Sequence, residues 1–218
     1  MLAFPKSTLL DRSIPKQKFY LNLKASSSLE RLFIDEVKSI RWMYKLAPDT
    51  FNIREGETVK EIEVLELSLK GSTISQEIVE AIDREIPYHL VFVMRYLDKG
   101  QIRISYKQDS KKKAGTFKVE RYYTTDWIPY DDLTLPFDGL TMDRLYESFL
   151  LQVAGDRLQR EAGDDIQEAV EKDIQREKLV RRIQKLENKI RNERQFNRQV
   201  GLMAELREAQ AQLEKGFK

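Results

Sequence analysis

The chain has 218 residues, a net charge of +2, 34% charged residues and 41% hydrophobic residues. This length suits one globular domain of ordinary size plus an extension, and the surplus of charge indicates that part of the chain is mostly surface. The absence of cysteine excludes disulfides, thiolate nucleophiles and cysteine-ligated metal centres, and a single histidine, His89, excludes a histidine-rich metal site.

The hydropathy of the chain predicts its compartment. The N-terminal residues lack the sustained apolar stretch and the cleavage site of a secretory signal, and no window reaches the roughly 18 apolar residues of a membrane span. We therefore expect a cytoplasmic protein with no membrane contact. Because the net charge is small, any argument for nucleic-acid binding has to rest on local clusters of charge.

The first half of the chain predicts two helices and a strand. Residues 27–30 have the pattern of a capping box, and the apolar residues that follow at helical spacing predict a helix over about 27–45. Residues 61–69 predict a strand whose apolar side changes phase, which indicates either a bulge or burial on both faces. Residues 75–86 predict a short amphipathic helix.

The middle of the chain predicts a mainly antiparallel sheet. Residues 88–96, 101–107 and 117–124 are rich in β-branched and aromatic side chains, and Gly100 suits a tight hairpin turn between the first two runs. A helix closed by Gly155 follows them. The predicted fold class is therefore α+β, with a mainly antiparallel sheet flanked by helices.

The end of the chain predicts a long, charged helical tail over 156–218, after a globular domain over 1–155. Two apolar series recur there at the spacing of a coiled-coil seam, but they are out of register with each other. Their members are Leu179, Ile183, Leu186 and Ile190, followed by Phe196, Val200, Met203 and Leu206. Either a polar turn within 192–197 folds the tail into a helical hairpin whose two series pack together, or one helix carries a stutter. These eight residues are the predicted contacts within the tail or with a partner.

Two basic clusters are candidate nucleic-acid contacts, one on the tail and one in a loop. They consist of Lys178, Arg181, Arg182, Lys185 and Lys189, and of Lys111, Lys112 and Lys113. Basic stripes neutralise phosphates, and the aromatic residues that follow the loop, Tyr122, Tyr123, Trp127 and Tyr130, have rings on which bases stack. The alternative is structural: a solvated helix face, and aromatic side chains that pack a sheet edge.

Candidate catalytic residues are few. His89 is either a general base or a partly buried structural histidine. A magnesium-dependent nuclease needs only carboxylates and a lysine, and surface-facing glutamates are the alternative interpretation of the same residues. The residues on predicted strands that suit such a site are Glu61, Glu63, Glu66 and Lys107. Because Ser105 stands where the acid-x-Lys spacing requires a carboxylate, we expect no catalytic residue, no metal and no cofactor.

Six segments carry a resemblance to a known family. They are Ala47-Pro-Asp-Thr-Phe-Asn-Ile, Glu61-Ile-Glu-Val, Asp83-Arg-Glu-Ile-Pro-Tyr-His, Lys113-Ala-Gly-Thr-Phe-Lys-Val, Thr125-Asp-Trp and Asn192-Glu-Arg-Gln-Phe-Asn-Arg. Their order and spacing resemble the bacterial family catalogued as domain of unknown function 4391, over nearly the whole chain. The resemblance implies a gene neighbourhood with helicases and DNA methyltransferases of restriction-like phage defence. It carries no catalytic residues that can be transferred to this chain.

These observations favour a non-catalytic accessory protein whose helical tail binds a partner subunit or a second copy of itself. The resemblance implies that the partner is a helicase or a DNA methyltransferase of a phage-defence assembly. Two alternatives from other classes stay open. One is direct nucleic-acid binding through the basic tail, and the other is a magnesium-dependent nuclease.

Overall fold

The computed structural model describes residues 2–22, 26–109, 117–158 and 165–216, and it has an α+β fold. The chain forms two compact units, Met1–Gly155 and Asp156–Lys218. The first unit contains a seven-stranded sheet with helices, and the second contains two long helices. The predicted fold class, a mainly antiparallel sheet with helices and a long helical tail, is therefore confirmed.

The described residues form seven strands and seven α-helices. The strands are β1 (Leu9–Ile14), β2 (Val37–Leu46), β3 (Ile62–Leu69), β4 (His89–Tyr96), β5 (Lys99–Asp109), β6 (Phe117–Thr124) and β7 (Ile128–Pro129). The helices are α1 (Gln17–Asn22), α2 (Ser27–Glu36), α3 (Pro48–Phe51), α4 (Gln76–Glu85), α5 (Met142–Ala154), α6 (Ile166–Asn192) and α7 (Phe196–Gly216). Strand β1 and helices α1 and α3 had no counterpart in the sequence-based prediction.

The first predicted helix is wrong in its second half. Helix α2 is capped by Ser26 and ends at Glu36, and the following residues 37–46 form strand β2. Ile40 and Tyr44 have helical spacing, but β2 pairs along its length with β3 and carries a bulge before Tyr44. A bulge shifts the alternation of a strand by one residue, so the buried residues of a strand need not follow a strict period of two. Ile40 and Tyr44 are both buried in β2.

The sheet has the strand order β1-β2-β3-β4-β5-β6, and the short strand β7 pairs with β5. All neighbours are antiparallel except β3 and β4, which are parallel and are joined through α4. A parallel pair requires such a crossover, whereas antiparallel neighbours can be joined by a short turn, as β4 and β5 are. Strand β3 is buried on both faces along most of its length, which is one of the two predicted explanations for its apolar pattern. The irregular pairing between β2 and β3 is a bulge in β2.

Helices α1, α2 and α4 cover one face of the sheet. Their buried side chains pack against apolar residues of the central strands in one continuous cluster. The members from the helices include Phe19, Phe33, Ile78 and Ile82, and those from the sheet include Leu65, Leu67, Leu90, Phe92 and Met94. Full burial of side chains of this size stabilises the fold by about 1.5 to 3 kcal/mol each.

Helix α5 packs against β5 and β6. Thr141 caps it by accepting a hydrogen bond from the amide of Arg144. The carboxylate of Asp143 accepts hydrogen bonds from the amides of three consecutive residues, 57–59, at 2.6 to 3.1 Å. The first turn of α5 thereby holds the loop that precedes β3.

Gly100 has a different role from the one predicted. It lies inside β5 opposite Arg95, and the positive φ angle of the β4–β5 turn, 54°, belongs to Leu97. A Cβ atom at position 100 would lie only 2.2 Å from Cδ1 of Leu133. Glycine is therefore required here by the close approach of a neighbouring side chain.

The tail is a helical hairpin, with α6 and α7 in contact and joined by residues 193–195. The turn needs neither glycine nor proline, because side chains satisfy the backbone at the helix ends. Glu193 accepts hydrogen bonds from the amides of Arg194 and Gln195, each at 2.9 Å. Gln199 donates a hydrogen bond to the carbonyl of Ile190 at 3.4 Å.

The contact between the two helices corrects part of the predicted seam. On α6 the predicted residues Leu179, Ile183, Leu186 and Ile190 are buried or half-buried, and the first half of the helix also buries Ala169, Val170 and Asp173. On α7 the buried and half-buried residues are Gln199, Leu202, Leu206, Ala209 and Leu213. Phe196, Val200 and Met203, which were expected to pack against α6, are exposed instead. The reason is the turn, which places Gln199 of α7 against Ile190 of α6. Helical spacing of three and four residues from Gln199 then brings Leu202 and Leu206 to the same side of α7.

We expect Leu186→Asp to unfold the tail hairpin selectively. Leu186 is 4% exposed, and a buried, unpaired carboxylate adds a desolvation cost to the lost packing, for a total of about 3 kcal/mol or more. Amide hydrogen exchange of α6 and α7 in the full chain measures the effect. Met203→Asp is the matched control, because Met203 is 41% exposed and its replacement leaves the seam intact. Equal protection of the tail in wild type and Leu186→Asp would contradict the hairpin.

Candidate functional site

A buried ion pair lies between α4 and the sheet. The Nζ atom of Lys107 on β5 is 2.6 Å from Oδ1 of Asp83 on α4, and both side chains are 1% exposed. Tyr122 on β6 donates a hydrogen bond to the other oxygen of Asp83 at 2.8 Å. Lys107 also donates to the carbonyl of Tyr88 at 2.6 Å. The pair therefore connects α4 with β5, β6 and the residue that precedes β4.

The sequence-based prediction named Lys107 but missed its partner. Asp83 lies four residues after Val79 and next to Ile82, on the buried side of α4. The sequence signal for it is an acidic residue at an apolar position of an amphipathic helix. Burial lowers the pKa of Lys107, and the nearby charge of Asp83 opposes that shift. Lys107 thus directs its ammonium group at protein atoms within the fold.

His89 is a structural residue in this environment. Its ring lies 4.8 Å from the ring of Phe117 and 4.6 Å from that of Tyr146, measured between centroids. Burial and the charge of Lys107 lower the pKa of His89 to about 3, with Asp143 opposing the shift. A histidine with such a pKa stays neutral at physiological pH, so the geometry favours the structural interpretation over a general base.

Glu63 is a buried carboxyl group on β3. It is 1% exposed and accepts a hydrogen bond from the indole of Trp42, while Lys45 pairs with Glu61 at 2.6 Å. Burial, a hydrogen bond with Glu61 and the charge of Glu61 together raise the pKa of Glu63 to about 9, while Trp42 and Lys45 oppose the shift. Glu63 therefore holds its proton at neutral pH.

The four residues considered for a magnesium site are not gathered in one place. Glu66 accepts a hydrogen bond from Tyr130 and, three residues along the strand, points to the opposite face from Glu63. Lys107 lies on β5, separated from β3 by β4. Within the described residues, no group of three or more acidic or histidine side chains is arranged to hold a metal ion.

The four aromatic residues after the basic loop are used within the fold. Tyr123 is fully buried, and Tyr122 and Trp127 pack against the main apolar cluster. Tyr130 binds Glu66, and the guanidinium of Arg95 lies 4.3 Å from the centre of its ring. These contacts favour sheet packing over base stacking. The basic loop itself, Lys111, Lys112 and Lys113, lies outside the described residues.

The tail, by contrast, presents side chains that its own fold leaves exposed. On α7, Phe196, Val200 and Met203 are 75%, 48% and 41% exposed. They follow one another at intervals of four and three residues, so they form one row along the helix, called here the apolar row. Exposed contiguous apolar side chains mark interaction surfaces more often than scattered ones do.

The predicted basic residues of the tail are also exposed. Arg181 pairs with Glu177 on its own helix at 2.6 Å. The other four are spaced by four, three and four residues and form a second row, called here the basic face of α6. Its members are Lys178, Arg182, Lys185 and Lys189. The candidate functional surfaces of the chain therefore lie on the tail, where two rows of different chemistry are available to solvent.

Comparison with known proteins assigns this chain by family alone. One family model, described as Domain of unknown function (DUF4391), matches residues 2–213. No curated protein and no solved structure matches the chain. Among the described helices, none combines the length and the apolar character needed to cross a membrane.

We expect Lys107→Met to destabilise the fold by about 3 to 5 kcal/mol, because it leaves the carboxylate of Asp83 buried and unpaired. The double variant Asp83→Asn with Lys107→Met removes both charges and is expected to recover a large part of that loss. Urea denaturation of the three proteins measures the difference. Equal losses in the single and double variants would show that the two side chains do not act as a pair.

We expect Glu63→Gln to make stability less dependent on pH. In the folded protein Glu63 keeps its proton up to a pKa of about 9, whereas in the unfolded chain it ionises near 4.5. Ionisation therefore favours the unfolded state as pH rises, so this contribution is complete below about 4.5 and is lost on the way to about 9. Denaturation at pH 5, 7 and 9, followed by tryptophan fluorescence, measures it.

The control is Ser105→Ala. Ser105 is buried and polar like Glu63, but its hydroxyl group does not titrate in this pH range. It is expected to change stability by the same amount at each pH. A wild-type protein whose stability at pH 9 equals that at pH 5, or a Glu63→Gln variant with the wild-type slope, would contradict the assignment.

Proposed function

The chain belongs to the family described as Domain of unknown function (DUF4391), and we propose that it is a non-catalytic accessory protein whose tail binds a different protein. The observation that carries this proposal is the apolar row on α7, which is exposed although the hairpin has a complete seam of its own. On this proposal the protein acts in the cytoplasm and serves as an adaptor in a larger assembly.

The spacing of the apolar row supports recognition of a helix by a groove. Phe196, Val200 and Met203 occupy positions i, i+4 and i+7, the pattern with which helices anchor themselves in an apolar groove. Burying apolar surface contributes about 25 cal/mol per Å², and aromatic anchors contribute most of the affinity in such contacts. Phe196, with 75% of its surface exposed, is the expected central anchor.

The charge of the tail favours a different protein over a second copy. Residues 172–198 contain ten Lys or Arg against four Asp or Glu. Two copies of this basic stretch placed side by side repel each other, whereas a groove rimmed by acidic side chains attracts the stretch and selects its orientation. The family resemblance makes a helicase or DNA methyltransferase of a restriction-like phage-defence assembly the first partner to test.

We expect Phe196→Asp to weaken binding to the partner by at least about tenfold, which corresponds to 1.4 kcal/mol. Isothermal titration with a purified helicase and a purified DNA methyltransferase of a restriction-like phage-defence assembly measures it. Leu140→Asp is the matched control, because Leu140 on the globular unit is 74% exposed, and it is expected to bind as wild type does.

Sedimentation equilibrium of the protein alone tests the competing occupant. A monomer is expected. A dimer that Phe196→Asp dissociates would assign the apolar row to self-association and contradict the proposal. Binding that Phe196→Asp and Leu140→Asp leave equally strong would place the partner contact outside the apolar row.

A further inference from the structure

The basic face of α6 is a continuous row of exposed positive charge. With a rise of about 1.5 Å per residue, its four cations extend over roughly 16 Å of one helix, with about 5 to 6 Å between neighbours. They lie beside the hairpin seam, because each is the residue directly before Leu179, Ile183, Leu186 or Ile190. All four side chains are exposed, so they are accessible from one side of the tail.

Acidic residues do not neutralise this row within the described part of the chain. None of its four cations forms an ion pair there, and the nearest acidic residue in sequence, Glu177, pairs with Arg181. Glu187 lies within the same stretch, but helical geometry places it roughly 170° around α6 from the row. Like charges three or four residues apart destabilise a helix by about 0.2 to 0.5 kcal/mol per pair. The row contains three such pairs, so an external anion would relieve a repulsion that the tail itself leaves in place.

The row continues towards the turn of the hairpin. An open groove there is lined by Asn188, Lys189 and Asn192 of α6 and by Arg198 of α7. The groove also contains Glu193, whose carboxylate accepts hydrogen bonds from the backbone of the turn, and the lining includes Glu205 as well. Positive charge therefore dominates along the basic face up to Lys189. Near the turn, Glu193 and Glu205 offset the positive charge of the groove.

The basic face and the apolar row lie on opposite sides of the hairpin. The groove shows that Lys189 shares its side with Arg198 and Glu205 of α7. Phe196 and Val200 are absent from that groove, and the helical repeat of α7 places them on the other flank of its seam. A ligand on the basic face therefore leaves the apolar row free, and binding at the basic face does not require a protein on the apolar row.

We propose that the basic face of α6 binds the phosphate backbone of a double-stranded nucleic acid. A regular row of cations on a rigid helix suits a regular row of phosphates, and such contacts are independent of sequence. Single strands are held largely by bases stacked on aromatic rings, and residues 178–192 contain no aromatic side chain. Duplex DNA and duplex RNA share the phosphate chemistry, and the experiment separates them.

The test is fluorescence anisotropy with the full chain and three labelled probes: a duplex DNA of mixed sequence, the corresponding duplex RNA and one DNA strand alone. Four phosphate contacts predict that the logarithm of the binding constant for duplex DNA falls with the logarithm of salt concentration at a slope of about −4. Arg182→Glu with Lys185→Glu is expected to weaken duplex binding at least about tenfold and to reduce the slope to about −2.

The matched control is Arg176→Glu with Arg191→Glu, which changes the net charge of α6 equally but on the other flank of the helix. It is expected to change duplex affinity by less than about threefold. Circular dichroism checks that both variants keep the helical content of wild type. Tighter binding to duplex DNA or to duplex RNA identifies which of the two is the ligand.

Four results would overturn the proposal. The first is no duplex binding at low salt, and the second is an equal loss in the two double variants. The third is tighter binding to the single strand than to either duplex. The fourth is a loss of binding confined to a variant in which Lys111, Lys112 and Lys113 are replaced by Glu, since it would move the contact to the loop.

Discussion

Burial of the central strands on both faces is the constraint on which the globular unit depends. Strands β3 and β4 form the one parallel pair of the sheet, and nearly all their side chains are buried. Such strands need helices over both faces, which α4 and its neighbours supply on one of them. Polar side chains that fall on these strands or against them must then find partners inside the fold, because an unpaired buried group costs several kcal/mol.

The internal polar groups follow from that constraint. Asp83 and Lys107 pair across the face covered by α4, and Glu66 and Tyr130 pair elsewhere on the sheet. Where burial outweighs the nearby counter-charge, it favours the neutral form: the pKa of His89 falls and that of Glu63 rises. Each of these groups contacts a neighbouring side chain within the fold: Asp83 with Lys107, Glu66 with Tyr130, Glu63 with Trp42 and His89 with Tyr146.

The tail differs from the globular unit because it buries little of its surface. The seam between its two helices is narrow and includes the small side chain of Ala209, so most residues of both helices stay exposed to solvent. The narrow seam separates two flanks, one with an apolar row and one with a basic row. Because the rows lie on different sides, occupation of one does not block the other. The two proposals thus assign a protein and a polyanion to opposite sides of the same 63-residue unit, Asp156–Lys218.

Local patterns in the sequence determined the strands β4 to β6, helices α4 and α5, and the two helical series of the tail, because side-chain periodicity and caps act over a few residues. Tertiary structure decided what depends on distant partners. Residues 37–46 form a strand because β3 pairs with them. Asp83 forms its ion pair with Lys107 because α4 packs on the sheet. The exposed side of α7 was decided by the turn at Glu193, which sets the rotation of one helix against the other. A periodic pattern of apolar residues indicates that a helix or strand has a buried side. Contacts with residues distant in the chain decide which side of the helix or strand is buried.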